Sequence, residues 1–323
     1  MFGHKFDDEK YRADLVKKIK KLQKEKNAVI ISHNYQRDEI QKIADYHGDS
    51  LALAQTAVRT DASIIVFCGV HFMAESASIL NPDKKVLLPV REAGCPLADM
   101  VTVEELREMR KQHPDAAVVC YVNTSAEVKA ESDLTCTSSN AIQVVRSLKE
   151  KRIIFIPDKN LGLYVQSQVP EKDIILWEGF CPTHIRLQEA DVKATKKMHP
   201  EAEFIAHPEC HPEVLKLADA VCSTGGMFNY VKASSKKEFI IGTEIGMLYR
   251  LNVENPDKKF YMPTPHLVCA NMKLITLGWV LHSLENELYE VKVMGDIRER
   301  ARKSLEKMLE LSKEKKSQAY IGT

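Results

Sequence analysis

The chain contains no CxxC pair, no apolar run near the roughly 20 residues that cross a bilayer, and almost no net charge. The first absence argues against a zinc ribbon or a thioredoxin-type redox site. The second predicts no membrane helix. Met1 to Lys10 is polar and lacks the apolar core of a secretory signal, so a cytoplasmic protein is expected, where thiols stay reduced. The third excludes an electrostatic footprint for nucleic acid, because 46 basic residues face 45 acidic ones.

The 323 residues are 44% hydrophobic and 28% charged, which excludes wholesale disorder. That length has room for roughly two or three small domains. Eight cysteines in a reducing compartment read as metal ligands, reactive thiols or small core residues rather than disulfides.

Three of them share one setting. Cys181 follows the apolar run Ile174-Ile175-Leu176-Trp177 in a Gly/Pro turn. Cys95 follows Val86-Leu87-Leu88-Pro89, and Cys269 follows Phe260-Tyr261-Met262-Pro263. The spacings are 181 − 95 = 86 and 269 − 181 = 88 residues. Near-equal long intervals imply three similar units, each lending one thiolate to a shared centre.

The rest of the chain keeps that register. Apolar strands are predicted at 28–31, 63–67 and 85–89, at 117–120, 153–156 and 174–177, and at 203–206, 238–241 and 259–262. Helical patterns alternate with them, and a charged amphipathic helix opens the chain at 8–25. Tyr121 stands 88 residues after His33 and His207 another 86 on; Ser50, Ser138 and Thr224 repeat the same steps. The expected units are 8–101, 102–187 and 188–275, with a helical segment at 276–323 and a tail that frays or folds back. Fully apolar strands alternating with helices indicate an α/β fold of three homologous αβα sandwiches with parallel sheets, in pseudo-three-fold symmetry about a central site. Ligands of such sheets bind beyond the carboxyl ends of the strands, where the polar residues gather.

The centre admits several chemistries. A cubane iron–sulfur cluster on three cysteines keeps one iron open as a Lewis acid. Zinc held by Cys₃His also suits, with His184 or His266 as the closing ligand. The plainer alternative makes all three cysteines small turn residues. Ser50, Ser138 and Thr224 stand where strands give way to helices, as N-caps or as anchors for phosphate or carboxylate. Gly225-Gly226 would let the backbone approach such an anion closely. His33, Tyr35, Tyr121, His207 and Glu209 are the acid–base candidates, and His207 with Glu209 shares one face by the two-residue strand period. His113 and His199 precede prolines in helix-to-strand turns and read as structural. Cys68, Cys120, Cys136 and Cys222 read as inert core thiols, and Cys210 as a more exposed positioning residue.

The motifs together resemble the quinolinate synthase family, the iron–sulfur enzymes of NAD biosynthesis. The resemblance runs from about residue 28 to 275. It is carried by Ser32-His33-Asn34-Tyr35-Gln36, Gly48-Asp49-Ser50, Glu92-Ala93-Gly94-Cys95, Tyr121-Val122-Asn123-Thr124, Gly179-Phe180-Cys181, His207-Pro208-Glu209-Cys210, Ser223-Thr224-Gly225-Gly226-Met227 and Gly242-Thr243-Glu244. It implies a [4Fe-4S] cluster on Cys95, Cys181 and Cys269, and condensation of iminosuccinate with dihydroxyacetone phosphate to quinolinate, phosphate and water. It implies a substrate site lined by His33, Ser50, Tyr121, Asn123, Ser138, His207, Glu209 and Thr224, with Tyr35 and His184 as nearby acid–base or orienting groups. A functional link to an aspartate oxidase or dehydrogenase would supply the imine. Some members of the family carry CxxCxxC at the third ligand; Pro263 and His266 hold those earlier places here, which argues against a local disulfide switch. Two other classes use similar residues: a cluster-dependent hydro-lyase acting on a hydroxy acid, and a non-enzymatic metal sensor.

Overall fold

The protein is described from a computed structural model covering residues 8–318. The expected tail to Thr323 lies outside the described residues, as does the start of the chain before Asp8.

Twelve strands form three separate four-stranded parallel sheets among the described residues. The first holds β1 (Ala28–His33), β2 (Tyr46–Gly48), β3 (Ile64–Cys68) and β4 (Lys85–Leu87). The second holds β5 (Ala117–Tyr121), β6 (Leu134–Cys136), β7 (Arg152–Ile156) and β8 (Asp173–Leu176). The third holds β9 (Glu203–Ala206), β10 (Ala220–Val221), β11 (Glu238–Gly242) and β12 (Lys259–Tyr261). Each sheet has its second strand outermost, then the first, third and fourth. The fold is therefore the expected α/β one, built three times on a single plan. Central strands such as β3 and β5 are buried along their whole length, because helices cover both faces.

The short second strands β2, β6 and β10 are the elements least visible in sequence, since two or three residues make no apolar run. Backbone pairing to the first strand holds them, and so does an aspartate just beside them. Asp45, Asp133 and Asp219 each accept from a backbone N–H of the first strand, at Ile30 (2.8 Å), Val118 (2.8 Å) and Phe204 (2.7 Å). A basic residue from the helix ahead of each sheet meets the same carboxylate: Lys20 (3.3 Å), Arg110 (3.1 Å) and Lys196 (3.0 Å). A second device also recurs. Lys84, Lys172 and Lys258 reach the closing carbonyls of the helical segment after the second strand, at Ala57 and Thr60, Leu148 and Glu150, and Val231 and Ser234. A cation there satisfies orphan carbonyls and opposes the helix dipole.

The helical segment expected at 276–323, read as one helix or a pair, is a pair, Leu277–Asn286 and Gly295–Gln318. Between them, Tyr289 and Val291 exchange backbone bonds with Leu88 and Val86 and cover the open edge of β4. The last helix buries Ala301, Leu305 and Met308 and packs on helices His71–Leu80 and Ala126–Ala130, so it joins the first unit to the second. Cys68, Cys120 and Cys136 lie buried in strands as expected, whereas Cys222 follows β10 and is half-buried. Cys210 is a correction. It is fully buried, because Leu187, Val192 and Phe204 close an apolar pocket around it.

Leu305→Ala removes a fully buried side chain from this clamp. Urea unfolding of the variant is expected to show a loss of about 2–5 kcal/mol; a loss below 1 kcal/mol would show that the helix contributes little to joining the units.

Candidate active site

The carboxyl ends of the three sheets face one cavity of about 190 Å³. All the residues expected at the site line it: His33, Tyr35, Ser50, Cys95, Tyr121, Asn123, Ser138, Cys181, His184, His207, Glu209, Thr224 and Cys269. The pairs two residues apart, His33/Tyr35, Tyr121/Asn123 and His207/Glu209, leave β1, β5 and β9 at equivalent places.

Each cysteine follows the last strand of its sheet and precedes a single 3₁₀ turn, at Ala98–Met100, His184–Arg186 and Met272–Leu274. The backbone N–H three residues on, at Ala98, His184 and Met272, is hydrogen-bonded to the sulfur in each case. The cysteine loops also bind one another. Trp177 Nε1 donates to Met100 O (2.7 Å) and Asn271 Nδ2 to Gly94 O (2.8 Å). Arg186 Nη1 reaches His266 O at 3.5 Å, which closes the ring. Burial pushes all three thiols up, Cys95 to about 12, and the field of one sulfur on another adds to it, Cys269 on Cys95 and Cys95 on Cys181.

Beside the sulfurs lies a directed hydrogen-bond chain. His184 Nδ1 is 2.7 Å from Glu209 Oε2, and its Nε2 is 2.8 Å from Thr243 Oγ1. Tyr35 OH is 2.6 Å from the same Thr243 oxygen. The arrangement is satisfied when Tyr35 donates to Thr243, Thr243 to His184 Nε2, and His184 Nδ1 to the Glu209 carboxylate. Tyr121 OH also donates to Glu209. Burial alone would push the Glu209 carboxyl up, but the His184 ring beside it and the hydrogen bonds from His184 and Tyr121 hold it below the usual carboxylate range. Burial and the same Glu209 charge drive the Tyr35 and Tyr121 hydroxyls well above 10.0, so both remain donors. Thr243 carries no periodic signal in the sequence, because it stands behind the cavity wall, linked to Tyr35 and His184.

His33 and His207 are neutral. Burial lowers each to about 3, helped by Lys273 for His33 and by His184 and His33 for His207. Backbone N–H groups of Tyr35 (3.2 Å) and Glu209 (3.4 Å) point at their Nδ1 atoms, which leaves Nε2 to carry the hydrogen. His184 and His207 stack with centroids 4.5 Å apart. His113 touches Arg152, and His199 stacks on Tyr261, away from the cavity, as expected of structural residues.

The hydroxyl anchors need correction. Ser50 and Thr224 are the first residues of their helices, but the capping side chains are Asp49 and Ser223. Ser138 is no helix N-terminus at all, since its helix starts at Ala141. Gly225 does admit an anion, and that anion is the chain's own: Asp49 accepts from Gly225 N–H and the Ser223 hydroxyl. A Cβ at Gly225 would lie 2.7 Å from Asp49 Oδ2. Thr224 Oγ1 accepts from Asn34 Nδ2 (3.0 Å), so its own hydrogen is left for a ligand. Asn123 Oδ1 is buried without a partner, an acceptor that fits a ligand donor. Arg186, at the rim, was missed in sequence.

Ligating atoms of Cys181, His184 and Glu209 lie within 4.8 Å of one another and form a possible metal-binding group. His184 is already committed to Glu209 and Thr243, which favours the three sulfurs as the ligand set. Their common turn geometry and inward backbone N–H groups fit a thiolate-held centre.

A three-sheet α/β protein with three half-buried thiols and a linked acid–base chain in one inter-unit cavity has the layout of a metal-dependent enzyme. The family is definite: residues 17–310 match the quinolinate synthetase A protein family, and the chain belongs to it. Quinolinate synthase of Alkaliphilus metalliredigens (strain QYMF) is 55% identical over 298 residues, covering 92% of this chain and 98% of that protein. Quinolinate synthase of Geobacter sp. (strain M21) is 56% identical over 296 residues, covering 92% and 97%. No described helix is long and apolar enough to cross a membrane.

The two neutral histidines set a pH dependence. Their native values of about 3 lie below the ordinary 6.5, so the unfolded chain binds protons that the native one refuses. Their contribution is complete above pH 6.5 and is lost as pH falls towards 3. In the metal-free protein, urea stability should fall more steeply over that window than in a His33→Asn/His207→Asn variant, by up to about 2.7 kcal/mol per pH unit. Equal slopes would refute the assignment.

Proposed function

We propose that this chain is a cytoplasmic quinolinate synthase that condenses iminosuccinate with dihydroxyacetone phosphate to give quinolinate, phosphate and water. Family membership supports the activity, and the observation that carries the site is the convergence of Cys95, Cys181 and Cys269 on the cavity that holds the acid–base residues. The working units are 8–101, 102–187 and 188–275, closed by the helices of 276–323. Cys95, Cys181 and Cys269 would hold a [4Fe-4S] cluster. When bound, it would supply a Lewis-acidic iron for the hydroxyl that departs in the final dehydration.

The chain's own residues do the rest. Ser50, Ser138 and Thr224 bring hydroxyl donors to the triose phosphate, and Arg186 adds a guanidinium at the rim. Donors aimed at a leaving phosphate lower the barrier to its departure. His33 and His207, both neutral, offer Nε2–H to the carboxylates of the imine. Tyr121 and Asn123 orient the same substrate, with Asn123 Oδ1 accepting from its nitrogen or from a triose hydroxyl. Holding both fragments in contact makes carbon–carbon bond formation effectively unimolecular. Glu209 takes a proton for the imine–enamine change. His184 and Thr243 link that carboxylate to Tyr35, so a proton can be returned at ring closure without bulk water. The imine would arrive from an aspartate oxidase or dehydrogenase.

Anaerobically reconstituted protein given both substrates should form quinolinate and release phosphate, whereas a hydro-lyase would release none. Cys181→Ala should lose turnover and most of the visible absorption of the cluster; a full cluster with full turnover would sink the shared-centre reading. Glu209→Gln should keep its cluster while turnover falls about 10²–10⁴-fold. An equal loss of cluster and turnover would reassign Glu209 to building the site.

A further inference from the structure

The three cysteine loops repeat one plan but are not held alike. After its third strand, each unit carries a residue whose following N–H bonds back to the loop bearing the cysteine. Lys159 N reaches Gly179 O (2.8 Å), Ile245 N reaches Leu267 O (2.9 Å), and His71 N reaches Ala93 O (2.8 Å). The residues just before those amides are Asp158, Glu244 and Val70. Asp158 Oδ2 accepts from Cys181 N (3.1 Å), while Oδ1 accepts from Leu161 N (2.8 Å) and caps helix Lys159–Gln168. Glu244 Oε1 accepts from Cys269 N (3.1 Å), while Oε2 accepts from Gly246 N (2.7 Å). Lys273, from the turn after Cys269, pairs with the same carboxylate at 3.0 Å. Both carboxylates are fully buried. Val70, at the equivalent place beside Cys95, has no side-chain acceptor.

We propose that Asp158 and Glu244 are positioning residues, clasps that fix the backbone of Cys181 and Cys269 so that two sulfurs are preset and the Cys95 sulfur alone adjusts to the cluster. The inference rests on the proposed cluster reading. Its physical basis is that a carboxylate accepting a ligand's own backbone N–H removes the freedom of that ligand's loop, as outer partners of metal ligands do. A buried carboxylate needed only as a helix cap would use one oxygen. Each of these uses the second on the cysteine. Glu244 sits in helix-entry backbone without capping a regular helix, so capping does not account for the pair.

The test uses Asp158→Ser and Glu244→Gln. Serine still caps a helix but is too short to reach Cys181 N. Glutamine keeps the volume but has one acceptor oxygen where the glutamate has two. Three measurements are made on anaerobically reconstituted full-length protein: the rate of iron release to a ferrous chelator, the electron paramagnetic resonance spectrum of the reduced cluster, and the Tm of the metal-free chain. Release should be about 10–100-fold faster in each variant, with shifted or broadened resonance features; the metal-free Tm should be nearly unchanged in Asp158→Ser and should fall in Glu244→Gln, which also loses the Lys273 pair. Wild-type release and spectrum in both variants would overturn the proposal, as would a fall in metal-free Tm with wild-type release. If Asp158→Ser does not fold, Asp158→Asn, which keeps the cap, carries the same comparison. Failure of the wild-type protein itself to take up iron would sink the cluster reading instead, so the two failures are separable.

Discussion

Three thiols meet in a place where burial keeps them from ionising. Each sulfur stands beyond the end of its sheet, Cys181 only 3.2 Å from His184 Nδ1, and a thiolate at Cys269 raises the cost of one at Cys95, as Cys95 does for Cys181. Only a cation can make that trio comfortable as thiolates. The same burial keeps His33 and His207 neutral and the two tyrosines protonated, while the carboxylate beside them, Glu209, is held in its charged form. The arrangement of donors, the relay through Thr243 and the loops behind the cysteines all serve that dry, polar interior.

The repeat explains both the likeness and the division of labour. At the two positions where the first strand of each unit ends, the chain places His33 and Tyr35, Tyr121 and Asn123, and His207 and Glu209. One backbone geometry therefore aims six different side chains at one space. Duplication supplied the direction, and divergence supplied the chemistry. The aspartates just ahead of the second strands, which accept from the first strands, and the lysines at the helix ends are the same in all three units because their task is structural.

Much of this was legible in the chain itself. Apolar runs announced the central strands, and the near-equal intervals between Cys95, Cys181 and Cys269 pointed to three equivalent turns that line one cavity. Residues at strand ends were legible because a parallel sheet puts its ligands there. What stayed hidden depends on tertiary contacts, between units or between distant parts of one unit. Thr243 lies behind Tyr35 and His184, Asp49 reaches across to Gly225, and Asp158 and Glu244 turn to backbone atoms over 20 positions away. No periodicity marks a residue whose partner is chosen by tertiary folding. The burial of Cys210 was missed for the same reason, since the residues that enclose it come from another strand and helix. Ser138 was misread as a helix start because the register was right but the second unit begins its helix later.

The apolar interior is not divided evenly. The first sheet, the inner face of the second and the C-terminal helix share one continuous cluster that includes Val66, Val119, Phe155 and Leu305. The third sheet keeps clusters of its own around Phe204, Phe239 and Ile241, touched by Tyr35, and hydrogen bonds such as Asn34 to Thr224, Gln41 to Gly246 and Asn160 to Glu209 cross to its neighbours. A wedge entering the cavity would part mainly polar seams around the third sheet and would leave the core shared by the first sheet, the second sheet and the last helix in place. The doorway of this molecule is set by where its grease stops.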